Sequence, residues 1–214
     1  EGKDLHADRA RSLWSDYDED LDEQKQKRQV GKMMNFADLF LSSAGTMKNQ
    51  VYSLSNGSIN LPSEFYEEVV RQRPNTRPQL HKWQLSLMAE AKRTRMIILP
   101  LTGQSRTFIG NLNEHRSEIV NFPVQTTASN LMLRLQSQMT KELNRRFKTS
   151  KRKPLIFLQV FDAIYMDCPL GTMEAAKDSF NRVFEREKQP TGYWGMLSKI
   201  LGRTVPLEYD YDIG

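Results

Sequence analysis

The chain predicts an α+β fold in which helices and antiparallel strands are largely segregated, and three features predict it. Over residues 4–95, apolar side chains recur at spacings of three and four, the period of helices that bury one face. Two later stretches, MIILPLTG (Met96 to Gly103) and PLIFLQVFDAIYMDCP (Pro154 to Pro169), are short apolar runs broken by turn residues, as in small hairpins. The resulting order of helices, hairpin, long helix, hairpin, helix and strand has no internal repeat and keeps the two kinds of element apart.

Asp4 to Trp14 reads as a short helix, with Asp4 as its N-cap and Leu5, Ala10, Leu13 and Trp14 available for burial. The acidic segment SDYDEDLDE (Ser15 to Glu23) is a solvated connection whose charge suits the N-terminus of the next helix. It lacks the glycine and ligand spacing of a calcium loop. KRQVGKMMNFADLFLSSA (Lys27 to Ala44) is a helical stretch, followed by a helix over Met47 to Leu54 that Asn56-Gly57 ends. Pro62 and Ser63 open a helix through about Arg71, and RPNTRP (Arg73 to Pro78) breaks it. Gln79 to Arg95 carries Leu80, Trp83, Leu87, Met88 and Ala91 at helical spacing. A short hairpin joins MIILPLTG to RTFI (Arg106 to Ile109). Val124, Ala128, Leu131, Leu135, Met139, Leu143 and Phe147 then predict a helix of about six turns. The basic turn KTSKRK (Lys148 to Lys153) is either solvated or a phosphate contact. Two strand-like runs meet at Asp162. Thr172 to Glu187 is an amphipathic helix with Met173, Ala176, Phe180 and Val183 inward, Gly192 to Leu201 a turn and short helix, and Thr204 to Asp210 a final strand. Residues 1–105 form a mainly helical portion, and residues 106–214 a second portion with the long helix and the hairpin of Asp162.

Composition narrows the function. The chain has 214 residues, of which 38% are hydrophobic, enough for a sizeable core. Its formal charge of +5 and pI near 9.3 permit an anionic partner, while 26 acidic residues exclude a simple polycation. The single cysteine, Cys168, excludes an intrachain disulfide framework and any multi-cysteine zinc site. A reducing intracellular setting is expected, as is a soluble chain, since no apolar run approaches 18 residues. The chain starts at Glu1 without an initiator methionine, so a processed, trimmed or partial protein is expected.

Within Lys27 to Ala44, the residues Arg28, Lys32, Phe36 and Phe40 recur every four positions and form one slowly drifting stripe on a helix. Two cations precede two aromatic rings. Arg28 and Phe36 lie about 12 Å apart along the axis, roughly the length of a nucleoside triphosphate. The cations fall near the helix start, where backbone N–H groups already favour anions. The alternative is an ordinary amphipathic helix with Val30, Met33, Ala37 and Leu41 buried and the cations solvated. Asp162 is equally open: a carboxylate between apolar runs is either an exposed hairpin tip or a metal ligand, because burying it unpaired is costly.

Five stretches together resemble the C-terminal part of a family A DNA polymerase. Lys27 to Ala44 resembles the family's R-x-x-x-K-x-x-N-F-G-x-x-Y-G fingers motif, matching at Arg28, Lys32, Asn35 and Phe36, with Ala37, Phe40 and Leu41 in place of Gly, Tyr and Gly. NFPVQTTASNLMLRL (Asn121 to Leu135) is similar to N-x-P-x-Q-G-T-A-A-D, keeping Asn121, Pro123, Gln125, Thr127 and Ala128. LQVFDAIYMDCP (Leu158 to Pro169) resembles the Q-V-H-D-E strand-turn-strand of the palm at Gln159, Val160 and Asp162, with Phe161 and Ala163 replacing His and Glu. KDLHADRA (Lys3 to Ala10) is similar to D-I-H-T-x-T-A and keeps His6, and TGQSR resembles a G-R-R-R turn at Gly103 and Arg106. The order and approximate spacing of these matches run from end to end of the chain.

The resemblance implies a fingers subdomain and part of a palm, in a right-hand polymerase that this chain holds incompletely. It implies nucleotidyl transfer from a dNTP to a primer 3′-hydroxyl on primer-template DNA. His6, Arg28 and Lys32 would hold the triphosphate, neutralising charge on the leaving pyrophosphate. Phe36 would pack on the deoxyribose, where the missing hydroxyl favours a nucleotide with its 3′-hydroxyl, and Phe40 would stack near the template base. Arg106, Asn121 and Gln125 would meet the primer-template, using minor-groove acceptors shared by all base pairs. Asp162 would bind Mg2+. A two-metal site needs carboxylates from more than one element, and the family's partner Asp lies on a strand upstream of the D-I-H motif. That Asp, with the thumb, is expected on a second chain or an upstream segment. The alternative is a catalytically inactive, polymerase-derived DNA-binding subunit, which Phe161 and Ala163 favour. For a phage or bacterial source the compartment is the bacterial cytoplasm.

Overall fold

The computed structural model describes residues 4–18, 24–204 and 206–212. It is mainly helical, with two separate two-stranded antiparallel sheets, which is the expected α+β plan. The chain divides into two compact units, one of Glu1–Ile98 with Ser105–Pro123, the other of Leu99–Gln104 with Val124–Gly214.

The first unit holds α1 (Leu5–Leu13), α2 (Lys25–Leu39), α3 (Ala44–Leu54), α4 (Ser63–Thr76), α5 (Pro78–Thr94), and the hairpin of β1 (Met96–Ile98) and β2 (Ser105–Thr107). It also takes the first residues of α6 (Arg116–Arg146). Asp4 caps α1 as its sequence predicts. Helix α2 ends sooner than the expected stretch: Leu41 takes a left-handed φ of 54°. There Ser42 N–H donates to Ala37 O (2.9 Å) and Leu41 N–H to Asp38 O (3.4 Å), a Schellman closure. Leu41 stands where the family pattern has Gly, and its burial offsets a backbone cost of about 1 kcal/mol. Ser43 then caps α3.

Helix α4 continues past Arg71 to Thr76 with Pro74 inside it, so RPNTRP breaks the chain later than expected. Arg73 anchors that extra turn by donating from Nε to Asp38 Oδ1 (2.9 Å) and from Nη2 to Ser42 O (2.6 Å). Arg9 Nη2 reaches the other oxygen of Asp38 at 3.3 Å, and Gln84 Nε2 caps the carbonyls of Asp38 (2.7 Å) and Leu39 (2.9 Å). Burial lowers the pKa of the Arg9 guanidinium from its ordinary value, with Asp38 opposing. This polar knot ties α1, α4 and α5 to the last turn of α2, where carbonyls lack helical partners. One apolar core lies beneath it, built on Val30, Met34, Met47, Val51 and Tyr66, and a second unites Leu87, Ala91, Ile97, Phe108 and Ile119.

The second unit is built on α6 beyond Pro123. The helix begins at Arg116 rather than near Val124, and Pro123 sits inside it, where the ladder loses one N–H donor. Leu131, Leu135, Met139 and Leu143 of α6 pack with Ala176, Val183 and Phe184 of α7 (Met173–Lys188) and Tyr193 of α8 (Tyr193–Leu201). Strands β3 (Leu155–Val160) and β4 (Ala163–Asp167) form the second hairpin, pairing Val160 with Ala163 and Leu155 with Asp167. A bulge between Ile156 and Leu158 leaves Phe157 unpaired.

The expected final strand is absent from the described residues 204 and 206–210, while Val205 lies outside them, as do residues 19–23 of the acidic connection. The tail is held by packing instead of a ladder. Tyr209 and Tyr211 both donate to Asn181 Oδ1 at 2.5 Å, and the Tyr209 ring meets Phe184 at 4.1 Å between centroids. Burial pushes the Tyr211 phenol up to about 12. No helix among the described residues is long and apolar enough to cross a membrane.

Candidate functional site

Helix α2 presents Lys32, Phe36 and Phe40 along one groove of about 720 Å³, whose other wall is α3. Lys32 is exposed and without an ion-pair partner among the described residues. Phe36 is 44% exposed, too much for a core residue, and it stacks on Phe40 at 6.1 Å with 14° between the planes. The opposite face of α2, with Val30, Met34 and Ala37, is buried. The helix is amphipathic, and its outer face is an aromatic row that ends in a cation. Gln29, Ser42, Thr46, Asn49 and Gln50 supply neutral hydrogen-bonding groups to the groove.

Helix α1 brings His6 to this row, with its ring 6.1 Å from that of Phe36. The approach depends on small residues. Ala7 and Ala10 are fully buried, and a Cβ on Gly31 would lie 2.6 Å from the carbonyl oxygen of His6. The His6 ring is fixed by Asn35, whose Nδ2 donates to Leu5 O (2.8 Å) and meets His6 Nδ1 at 3.1 Å. Arg77 Nη2 donates to the Oδ1 of the same amide.

Arg28 is half-exposed and turned to α1. Its Nε (2.9 Å) and Nη2 (2.8 Å) donate to Asp4 Oδ2, while Asp4 Oδ1 accepts from the N–H groups of His6 (2.8 Å) and Ala7 (3.0 Å). The Ala7 N–H first, and then Arg28, hold this carboxyl at about 2. Of the two cations expected to face an anion, Lys32 has no ion-pair partner among the described residues and Arg28 is already paired with Asp4.

Arg106 on β2 is likewise engaged, with Nη2 donating to Glu118 Oε2 (2.5 Å) and its guanidinium 5.5 Å from the Phe108 ring. Asn121 and Gln125 sit on α6, on either side of Pro123. Gln125 is exposed, whereas Asn121 Oδ1 is buried without a hydrogen-bond partner among the described residues.

Asp162 occupies the two-residue turn between β3 and β4, exposed at its tip, next to Phe161 with a left-handed φ of 52°. Of the two alternatives for this carboxylate, the hairpin tip is the observed placement. Among the described residues, no three His, Cys, Asp or Glu side chains converge. Asp167 pairs with Leu155 at the far end of the hairpin, about 16 Å along the strand. Mg2+ takes one or two carboxylates and completes its shell with phosphate oxygens and water, so Asp162 fits one ion shared with a triphosphate. It does not by itself fit a bridged pair.

Sequence reasoning assigned no role to Gly31, Asp4 as a partner of Arg28, Arg77, or the knot of Asp38 with Arg9 and Arg73. Gly31 did carry a signal, since a lone Gly inside a helical pattern marks a close approach.

The structure is similar to the POL domain of Pol1 from M. smegmatis, solved in complex with DNA primer-template and dNTP, at a TM-score of 0.61 and 16% identity. The match covers 84% of this chain and 30% of that one, so the chain spans under a third of that domain's length. No curated protein matches it by sequence. The model of DNA polymerase family A matches residues 1–214, the whole sequence, and the chain therefore belongs to family A of the DNA polymerases.

Proposed function

We propose that this chain takes part in template-directed DNA synthesis, transferring a nucleotide from a dNTP to a primer 3′-hydroxyl as the C-terminal part of a DNA polymerase. Residues 1–105 are its fingers and residues 106–214 its share of the palm, working in an intracellular, soluble enzyme. The carrying observation is the joining of His6, Lys32, Phe36 and Phe40 on one exposed surface of α1 and α2. An unpaired ammonium next to two stacked rings suits a triphosphate joined to a sugar and base.

Lys32 and His6 bind the triphosphate oxygens, and Arg28 joins them by leaving Asp4, whose carboxylate is its present partner. These charges stabilise the pyrophosphate as it departs. Phe36 packs on the deoxyribose, and Phe40 stacks near the templating base. Arg106, Asn121 and Gln125 bind primer-template. Asp162 holds Mg2+, which when bound would neutralise phosphate charge and activate the primer hydroxyl. We assign the second carboxylate to the family's upstream palm strand; among the described residues no group of three metal-binding side chains forms.

The test is Lys32→Ala in the full chain, titrated separately with dATP and with primer-template DNA. We expect dATP affinity to fall about tenfold, the value of one charge-assisted contact, with DNA affinity nearly unchanged. Equal losses for both ligands would refute the assignment and favour a DNA-binding subunit.

A further inference from the structure

We propose that Arg77 is a positioning residue for nucleotide binding: acting through Asn35, it holds His6 as the Nε2–H tautomer, so that the imidazole offers a neutral N–H donor to the triphosphate. The inference rests on the nucleotide-binding role of His6 given above and specifies the chemical form in which His6 acts.

The argument turns on which end of the Asn35 amide points where. Asn35 is 8% exposed, so each of its polar atoms needs a partner. The Leu5 carbonyl is only an acceptor and lies 2.8 Å from Nδ2. The Arg77 guanidinium is only a donor and bonds to Oδ1. A flipped amide would set oxygen against oxygen at Leu5 and N–H against N–H at Arg77. The two neighbours therefore fix the orientation between them, and the second hydrogen of Nδ2 points at His6 Nδ1, 3.1 Å away. A proton on Nδ1 would face that hydrogen, so Nδ1 accepts and the ring proton resides on Nε2.

Nε2 has no hydrogen bond among the described residues and is not sealed from solvent. Its N–H is left as the one polar group of the ring available to a ligand, on the side of α1 beside Phe36. Arg77 lies between α4 and α5, on neither helix of the groove. It reaches the ring from behind through one amide, an arrangement that fixes a donor without placing a further charge against the ligand.

The histidine-labelled 214-residue chain contains three imidazoles, and His6→Gln identifies the signal of His6. Long-range proton–nitrogen correlation spectra report the tautomer directly. The expected result is an Nε2–H pattern in the ligand-free chain, a mixed pattern in Arg77→Met, and restoration in Arg77→Lys, which keeps a donor for Oδ1. Asn35→Asp, which replaces the N–H donor by an acceptor, should move the proton to Nδ1 and serves if Arg77→Met does not fold. An Nδ1–H or averaged pattern in the unmodified chain overturns the tautomer, and an unchanged pattern in Arg77→Met overturns the role of Arg77. Titration with dATP and with inorganic triphosphate separates this from the functional assignment. Both should shift the Nε2 resonance, with about tenfold weaker binding in Arg77→Met. A correct tautomer with no response to either ligand would refute nucleotide binding at His6 while leaving the positioning intact.

Discussion

At the scale of single residues, the candidate site is governed by who holds whom before any ligand arrives. Asp4 caps α1 and grips Arg28 with the same carboxylate, so it competes with any anion for that guanidinium. Its folded pKa of about 2 lies below the ordinary 3.8. A depressed carboxyl contributes stability that is complete above the unfolded pKa and is lost as pH falls through the folded one. The window thus runs from about pH 4 down to about pH 2. Asp4→Asn keeps a good N-cap but removes the charge. We expect the difference in thermal midpoint between the parent chain and Asp4→Asn to be largest at pH 5 and to vanish near pH 2. A difference independent of pH would mean that the Asp4 charge does not support the fold. The same variant frees Arg28, so its dATP affinity at neutral pH should rise.

At the scale of elements, the close crossing of α1 over α2 positions His6, and it depends on a residue with no side chain. Ala is favoured over Gly inside a helix by about 1 kcal/mol. A methyl at Gly31, however, would lie 2.6 Å from His6 O and 3.1 Å from Ala10 N, both backbone atoms that move only with the helix. Gly31→Ala should therefore lose about 1–2 kcal/mol in urea unfolding, against the sign of propensity, with a perturbed His6 signal. A gain in stability would show that α1 is not seated as described. This crossing also marks the limit of what the sequence disclosed. Periodicity located the helices because a buried face repeats every three or four residues, and it located the Asp162 hairpin because two apolar runs flank a single polar break. It missed α6's start, since Pro123 reads as a helix boundary although Ile119 and Val120 before it are buried, and the end of α4, where an ion pair to Asp38 carries the helix past Pro74. The final strand failed for a related reason: strand-like composition has no effect without an edge to join, and Tyr209 and Tyr211 found α7 instead. In the site, Lys32, Phe36 and Phe40 were legible as a stripe, whereas Arg77 lies 42 residues from Asn35 and no local pattern links them.

At the scale of the whole molecule, the proposed reaction asks for more metal-binding side chains than the described residues gather. Asp162 is exposed on its turn, and no cluster of metal-binding side chains surrounds it among the described residues. One carboxylate can span two ions about 3.5–4 Å apart, but it gives each of them a single oxygen and leaves both short of anionic ligands. The hairpin bearing Asp162 also has an uncovered face: Leu155, Phe157, Leu158 and Tyr165 are between 46% and 62% exposed, while Ile156, Ile164 and Met166 turn inward to the core. Contiguous exposed apolar side chains on a short sheet normally meet another surface. We therefore expect the 214-residue chain alone to give no primer extension, and extension to appear when it is mixed with a polypeptide carrying the family's upstream palm strand and its Asp. In that mixture Asp162→Asn should abolish extension with the chain still folded, since the proposed metal ligand loses its charge at constant volume. Tyr165→Lys should weaken reconstitution by placing a charge on the uncovered face, and excess partner should restore the rate, whereas no excess should rescue Asp162→Asn. Robust extension by the chain alone would refute the divided site, and an active Asp162→Asn mixture would remove Asp162 from the chemistry.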